Sequence, residues 1–349
     1  MRIEQDIKLD YQDVLFKPKR STLTSRKDVD LTRTFKFYNS GKEWTGIPIM
    51  SSNMDGVGTF AMAKVLQEQK MITVLRKHYT LDDWKVAIGD GVKMKYLSVC
   101  TGTGVIWDKD AIDYNTMKKV LEKYPDVPFI CVDVANGYHE NYGDFIEKLR
   151  YEYQDKTIIA GNVITAEMTE ELILRGADIV KCGIGPGSVC TTRLMTGVGV
   201  PQLSGIIECA DAANGVGGHI IADGGCVYPG DVAKAFGAGA HFVMLGGMLA
   251  GHDEAEGEVV NGKVQFYGMS SNAAMSKHGS RKDGYRGAEG KVVELPHKGP
   301  VRDTVTEILG GVRSAATYIG AKRIKDMPKC TTFVRVNNVV NQVYKSFEA

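Results

Sequence analysis

The stretch Asp178–Arg193, DIVKCGIGPGSVCTTR, indicates the fold most clearly. It begins with a short apolar run, Asp178–Cys182, which is typical of a strand buried on both faces of a parallel sheet. Three glycines and a proline follow directly. A loop of this composition can bring backbone groups close to a ligand or an ion. The stretch therefore predicts a buried strand that ends in a ligand-binding loop.

Seven similar runs surround this one, and helix-like stretches lie between them. The eight predicted strands are Ile47–Ser52, Met71–Leu75, Tyr96–Thr101, Pro128–Val134, Thr157–Gly161, Asp178–Cys182, His219–Asp223 and His241–Leu245. Predicted helices include Thr165–Arg175 with Thr165 as N-cap, Leu203–Ala213, and Pro229–Phe236 followed by Gly237. Alternating strands and helices predict an α/β fold, a (β/α)₈ TIM barrel. An open doubly wound sheet is the alternative.

Polar and glycine-rich residues follow the predicted strands, which favours the barrel. They are Asn53, Asp55, Lys77, 101–104, 133–136, 161–162, 183–192, 223–225 and 246–247. In a barrel, all these positions lie on the C-terminal face, where active sites form. The long polar segment His252–Pro300 breaks the strand–helix rhythm and predicts a lid inserted after strand 8. We expect residues 1–349 to form a single barrel domain.

Composition excludes several function classes. Lys and Arg number 43 against 42 for Asp and Glu, so no charge excess points to nucleic-acid or membrane-surface binding. No apolar run reaches the length of a transmembrane helix, and the charged N-terminus does not resemble a signal peptide. The seven cysteines have irregular spacing, without a zinc-site pattern. We therefore expect a reduced, cytoplasmic protein.

Cys190 is the strongest candidate nucleophile. It follows the glycine-rich loop and precedes two threonines and Arg193. A nearby cation and a helix N-terminus both favour the reactive thiolate. Most cysteines are small buried hydrophobes, and this interpretation is applied to Cys131, Cys182 and Cys209.

Other motifs carry weaker signals. Asp223-Gly224-Gly225 and Gly246-Gly247 follow the last two strands, where barrels often bind a sugar phosphate, although each could be a simple turn. Asp133 and Asn162 could cap the helices that follow them, and Asp133 could also contact a second ligand. Glu289, between small residues, could exchange protons with a substrate amine, although a glutamate in a polar loop is usually solvated. Lys77 by itself indicates nothing beyond a solvated lysine.

Taken together, these motifs resemble the IMP dehydrogenase/GMP reductase family. The resemblance extends from Asp13-Val14-Leu15 to Thr331-Thr332-Phe333-Val334-Arg335. Its specific elements, in chain order, are the cysteine loop, Asp223-Gly224-Gly225, Gly246-Gly247, Gly268-Met269-Ser270-Ser271 and Tyr285-Arg286-Gly287. The family implies a homotetramer that binds purine nucleotides.

Within the family, the resemblance favours the reductases. Dehydrogenases usually carry a CBS domain pair after the second strand, and here only a short stretch separates Lys77 from the third strand. Their water-activating Arg-Tyr pair is missing between His252 and Pro300, whereas Glu289 lies in an AEG context as in the reductases. Gly287 departs slightly, because many reductases have Ala there. The implied reaction is NADPH-dependent conversion of GMP to IMP and ammonia through a cysteine thioimidate, a step of purine salvage.

The resemblance also implies a role for each matching residue. Catalysis is implied for Cys190, Thr192 and Glu289. Substrate binding is implied for Asp223, Gly224, Gly225, Gly246, Gly247, Gly268, Met269, Ser270, Arg286, Gly287, Ala288, Glu289 and Gly290. Cofactor binding is implied for Lys77, Asp133, Val134, Ala135, Gly183, Ile184, Met269, Tyr285, Arg286, Ser314, Ala315, Ala316 and Thr317, and for Ser25 and Arg26 of a neighbouring subunit. Potassium binding is implied for the carbonyls of Gly185, Gly187, Cys190 and Arg193.

Three alternatives stay open on the sequence. A dehydrogenase without CBS domains is disfavoured by Glu289 and by the missing Arg-Tyr pair. A nucleotide-binding protein without turnover is disfavoured by the complete set Cys190, Thr192 and Glu289. A flavin-dependent barrel, which would share the phosphate site, predicts a yellow protein.

Overall fold

A closed barrel of eight parallel strands forms the centre of the molecule. The computed structural model describes residues 1–104, 111–278 and 287–337. The strands are β1 (Val14–Phe16), β2 (Arg33–Lys36), β3 (Glu43–Gly46), β4 (Ile49–Ser51), β5 (Ile72–Val74), β6 (Leu97–Thr101), β7 (Phe129–Asp133), β8 (Thr157–Val163), β9 (Ile179–Cys182), β10 (His219–Asp223), β11 (Phe242–Leu245), β12 (Val259–Val260), β13 (Lys263–Tyr267), β14 (Val292–Pro296) and β15 (Phe333–Arg335). Strands β4 to β11 close the barrel in sequential order, with β11 paired to β4.

Helices connect the barrel strands, and three of the described helices follow β11, the last barrel strand. The helices are α1 (Phe60–Leu66), α2 (Leu81–Gly89), α3 (Ile112–Lys123), α4 (Glu140–Glu152), α5 (Ala166–Leu174), α6 (Thr192–Thr196), α7 (Gln202–Gly215), α8 (Pro229–Gly237), α9 (Asn272–Lys277), α10 (Val301–Ile319) and α11 (Met327–Cys330). Among the described residues, no helix combines the length and apolar character that a bilayer span requires.

The observed barrel confirms the predicted fold class and excludes the open doubly wound sheet. All eight predicted strands are present, with ends within two residues of the predicted ones. The three predicted helices are α5, α7 and α8, and Gly237 is the last residue of α8 instead of following it. Thr165 occupies the N-cap position of α5, but its hydroxyl contacts Tyr138 Oη at 3.1 Å and caps no backbone N–H.

A β-hairpin closes the N-terminal end of the barrel. Strands β2 and β3 pair antiparallel, and their aromatic side chains enter the barrel. The Phe35 ring stacks on Phe242 with centroids 4.2 Å apart, and Phe37 meets Phe129 edge-on at 6.1 Å. Burial of each large aromatic side chain stabilises the fold by about 1.5–3 kcal/mol. The hairpin thus fills one end of the barrel and leaves the opposite end for a site.

The insertion after β11 is more ordered than its polar composition predicted. Strands β12, β13 and β14 form a three-stranded antiparallel sheet, and α9 lies between β13 and β14. Burial alternates along Lys263–Tyr267, as expected for a sheet with one face toward the barrel. The chain then returns through α10, which packs against α8.

Candidate active site

A cavity of about 250 Å³ opens at the C-terminal end of the barrel. Its wall includes many predicted site residues: Asp133, Val134, Ala135, Gly183, Ile184, Gly185, Gly187, Cys190, Thr192, Asp223, Gly268, Met269, Ser270 and Glu289. These residues follow different strands or belong to the insertion. The barrel therefore brings together residues that are far apart in the chain.

Cys190, Thr192 and Glu289 form a continuous hydrogen-bonded chain in this cavity. Cys190 Sγ donates to Thr192 Oγ1 at 3.2 Å, and Thr192 Oγ1 donates to Glu289 Oε2 at 2.7 Å. Cys190 is partly exposed, whereas Cys131, Cys182 and Cys209 are fully buried, as predicted. A thiol, a hydroxyl and a carboxylate in this order can pass a proton between a nucleophile and a leaving group.

Backbone pairing holds Glu289 beside the cysteine loop. Thr191 N donates to Glu289 O at 2.9 Å, and Glu289 N donates to Ser270 O at 3.2 Å. The neighbouring Gly290 approaches both Cys190 and Ser271 as an isolated bridge. A Cβ on Gly290 would lie 3.0 Å from Ser271 N and 3.2 Å from the Gly268 Cα. Glycine at 290 therefore allows the close approach that places the Glu289 carboxylate.

The glycines of the cysteine loop are required by its backbone. Gly183 has a φ of 155°, and a Cβ there would lie 2.1 Å from Asp223 O. Gly185 has a φ of 81°, and its Cβ would meet the Arg193 side chain at 2.6 Å. The Arg193 guanidinium forms two hydrogen bonds with Asp10, at 2.9 and 3.3 Å. The Arg193 side chain therefore anchors the loop to the N-terminal segment. This contact is separate from the potassium binding that the family resemblance implies for the Arg193 carbonyl.

A buried ionic network lies beneath the cavity. Lys181 Nζ is 2.6 Å from Asp133 Oδ1 and 2.9 Å from Asp223 Oδ2. Asn53 donates to Asp133 at 2.9 Å, and Asn162 donates to Asp223 at 2.9 Å. Burial alone would lower the pKa of Lys181, but the two carboxylates raise that pKa well above its usual value. The ammonium is therefore charged. Asp133 and Asn162 both line the cavity, and neither side chain caps the helix that follows it.

Sequence reasoning missed Lys181. The residue lies inside an apolar run, and its partners end strands β7 and β10. A lone lysine within a buried strand was the available signal, because a buried charge needs a partner.

The four predicted phosphate-loop glycines do not line this cavity. Gly224 and Gly225 have positive φ and pack against Pro186, while Gly247 packs against Ser188. Two buried polar atoms of the cavity residues, Ser52 Oγ and Asn162 Oδ1, have no hydrogen-bond partner in the described structure. Such unpaired atoms fit a polar ligand, since burying them unpaired is costly.

Several predicted cofactor residues lie away from this cavity within the described chain. Lys77 Nζ lies 3.4 Å from Asp113 Oδ2. Ser25 caps a short 3₁₀ helix that begins at Arg26, and this helix contacts α10. Residues 314–317 belong to α10. Tyr285 and Arg286 fall outside the described residues, and Gly287 and Ala288 do not line the cavity.

A second cavity, of about 480 Å³, adjoins the first. The two share Ala135, Ile184, Thr192 and Glu289. Its other walls are largely apolar, with Tyr138 among them. A ligand in the second cavity would therefore reach the Cys190 site across the Thr192–Glu289 pair.

Asp55, His78 and His278 form another cluster on this end of the barrel, with potential ligand atoms within 4.8 Å. The two imidazole rings stack with centroids 3.6 Å apart and planes 9° apart, so their lone pairs do not converge on one point. Lys277 Nζ also lies 3.7 Å from Asp55 Oδ2. This arrangement suits a hydrogen-bonded cluster that holds α9 to the barrel, and it does not suit a bound metal.

Comparison with known proteins agrees with this architecture. The chain matches the IMP dehydrogenase / GMP reductase domain over residues 8–342. It is 56% identical to a GMP reductase of Klebsiella pneumoniae over 353 residues, which cover 99% of this chain and 100% of the relative. It is 57% identical to a GMP reductase of Aliivibrio salmonicida and 55% identical to one of Vibrio cholerae, each over 350 residues and 99% of both chains.

The chain therefore belongs to the IMP dehydrogenase/GMP reductase family, and it is an oxidoreductase. Within that family, the relatives described above carry the name GMP reductase, which confirms the resemblance drawn from the motifs.

Proposed function

We propose that this chain converts GMP to IMP and ammonia, with NADPH as reductant and Cys190 as covalent nucleophile. The observation that carries the proposal is the hydrogen-bonded chain from Cys190 through Thr192 to Glu289 within one cavity. The names of the close relatives support GMP as the substrate. We further propose that residues 1–349 act as one catalytic domain without a CBS pair.

The first half-reaction forms a bond between Cys190 and substrate. Cys190 Sγ attacks C2 of the guanine ring, and the C2–N bond to the amino group breaks. The thiol proton passes through Thr192 Oγ1 to the Glu289 carboxylate, which delivers it to the leaving amine. GMP and thiol thus give a thioimidate and ammonia. Covalent catalysis replaces one difficult substitution with two easier steps.

The second half-reaction releases IMP. When bound, NADPH supplies a hydride to C2. Cys190 then leaves as thiolate and regains a proton, and Thr192 holds the sulfur in place through the 3.2 Å contact. The two halves together consume GMP, NADPH and a proton, and they release IMP, ammonia and NADP⁺.

The cavity residues fit these ligands. Ser52 Oγ and Asn162 Oδ1 offer unpaired polar atoms to the nucleotide, and Asp223 offers a carboxylate to ribose hydroxyls. Asp133, Ala135 and the adjoining cavity offer a surface to the nicotinamide. We assign residues 314–317 to the cofactor, and we assign Ser25 and Arg26 to the cofactor of a neighbouring subunit in a homotetramer.

Potassium binding by the cysteine loop is also proposed. The carbonyl oxygens of Gly185, Gly187, Cys190 and Arg193 would hold it, and carbonyl oxygens are suitable ligands for this ion. Gly187 O already accepts from Cys190 N at 3.1 Å, and Arg193 O accepts from Gly197 N at 3.2 Å. Each carbonyl keeps a second lone pair for the ion. The cation would brace the loop that presents Cys190.

Intact-protein mass spectrometry tests the covalent step. The protein is incubated with GMP without NADPH, ammonia is removed, and the reaction is stopped with acid. We expect one purine nucleotide bound per chain in the unsubstituted protein and in Cys330→Ala, which removes another partly exposed thiol, on α11. We expect no adduct in Cys190→Ala. An adduct that persists in Cys190→Ala would refute Cys190 as nucleophile.

A further inference from the structure

Lys181 contacts two cavity carboxylates, Asp133 and Asp223, and the function proposed above gives these carboxylates different ligands. Asp133 ends β7 and Asp223 ends β10, with β8 and β9 between them in the barrel. Lys181 on β9 reaches both carboxylates, at 2.6 and 2.9 Å, and only 3% of the residue is exposed. One ammonium therefore fixes two carboxylates that would otherwise repel each other across the cavity.

Neighbouring residues restrict the positions that Lys181 and its two carboxylate partners can adopt. Asn53 donates a hydrogen bond to Oδ2 of Asp133, the oxygen that Lys181 does not contact. Asn162 donates both to Asp223 and to the carbonyl of Gly183. A Cβ on Gly161 would lie 2.6 Å from the Lys181 Cβ, so the neighbouring strand packs directly against the lysine. A change at either carboxylate must therefore move the lysine or leave its charge unpaired, which is costly in a buried site.

We propose that Lys181 is a positioning residue that couples nucleotide binding at Asp223 to cofactor binding at Asp133. The proposal rests on the function proposed above, which gives the two carboxylates their ligands. Lys181 orients both carboxylates at once, so that each ligand meets a preorganised partner. Removal of the lysine side chain should weaken the binding of both ligands, although each ligand contacts a different carboxylate.

Binding measurements with the full chain test this coupling, with GMP and NADPH titrated separately by calorimetry. In Lys181→Met, we expect the dissociation constants of both GMP and NADPH to rise by about tenfold or more. In Lys181→Arg, which keeps the positive charge, both dissociation constants should be close to those of the unsubstituted protein. Lys156 is a matched control, because it is also buried, lies directly before β8 at the opposite end of the barrel from the cavity, and donates to Pro125 O. Lys156→Met should lower the thermal midpoint and leave both dissociation constants unchanged.

The pH profile gives a readout that a purely structural lysine would not move. Lys181 helps to hold the pKa of Asp133 below its usual value against the effect of burial. In Lys181→Met, the acid limb of kcat/KM should therefore shift to higher pH. An unchanged limb, or weakened binding of only one ligand, would overturn the proposal.

A second variant keeps the test decisive if Lys181→Met does not fold. In Asp133→Asn, the ammonium is drawn toward Asp223, so GMP binding should weaken although Asp133 faces the cofactor. Unchanged GMP affinity in Asp133→Asn would contradict the coupling. Failure of the unsubstituted protein to turn over GMP with NADPH would refute the proposed function instead, whatever the binding data show.

Discussion

Glu289 Oε2 accepts a hydrogen bond from Thr192 Oγ1 across 2.7 Å, although 97 positions separate the two residues. The insertion after β11 carries Glu289 back over the barrel, and backbone pairing fixes it beside the cysteine loop. The proposed reaction depends on this relationship, because the leaving amine needs a proton where Cys190 attacks.

Glu289→Gln should separate the two half-reactions. The amide cannot carry the proton, so kcat for GMP reduction should fall by about 10²–10⁴-fold. Hydride exchange between IMP and NADP⁺ requires no amine protonation and should fall much less. Both rates can be followed by absorbance and isotope exchange. Glu294→Gln, at an exposed residue paired with Lys263, is the control. Equal loss in both reactions would argue against the assigned role.

Cys190→Ala should abolish turnover and leave GMP binding largely intact, because the thiol reacts with C2 while the rest of the cavity remains. Calorimetry and the NADPH assay measure the two effects. Cys209→Ala is the matched control: Cys209 is fully buried on α7, so its loss should cost about 1 kcal/mol of stability and no activity. If Cys190→Ala lost GMP binding and folding together, Cys190 would be structural.

Gly290→Ala should lower kcat by at least about tenfold, because the new Cβ would push Ser271 and Gly268 away and displace Glu289. Gly89→Ala, at the end of α2, is the control. Its Cβ would meet no described atom within 4 Å, so activity should stay the same. Steady-state kinetics of the two variants make the comparison. Equal effects of the two substitutions would show that backbone approach at residue 290 is unimportant.

Stability should fall as the pH decreases from about 6.5 to 4. Burial lowers the pKa of His219 to about 4 and that of His241 well below 6.5. Between these pH values, the two histidines bind protons in the unfolded chain but stay largely neutral in the folded chain, so acid favours unfolding. His241 Nδ1 accepts from Ile220 N, and Asn at 241 keeps an acceptor without titrating.

Urea unfolding at several pH values measures this effect. The midpoint should fall from pH 7 to pH 5 in the unsubstituted protein, and the decline should be shallower in His241→Asn. Measurements at pH 8 give the baseline, because both histidines are almost entirely neutral there in the folded and the unfolded chain. An equally steep decline in His241→Asn would assign the acid sensitivity to other groups.

The barrel was predictable because strands buried on both faces leave continuous apolar runs such as His219–Asp223, whose ends the structure reproduces. Residues at the ends of strands and in the loops after them were also predictable, because these positions share one face of a barrel, and Asp133, Cys190 and Asp223 all line the cavity. The role of Glu289 depended on family resemblance, since a glutamate in a polar loop carries no signal by itself.

Other features depend on contacts that the sequence does not display. Lys181 breaks an apolar run, and only the closed barrel reveals which carboxylates it meets. The Thr165 hydroxyl was expected to cap α5, but Tyr138 from another loop competes for it. The alternation along Lys263–Tyr267 was present in the sequence, yet the surrounding polar residues concealed the sheet of the insertion.

Two parallel absorbance assays of the nicotinamide test the central claim most directly: GMP with NADPH, and IMP with NAD⁺ in water. The account predicts oxidation of NADPH in the first assay, with release of ammonia, and no reduction of NAD⁺ in the second. Reduction of NAD⁺ with IMP, without NADPH oxidation by GMP, would contradict it and identify the chain as a dehydrogenase.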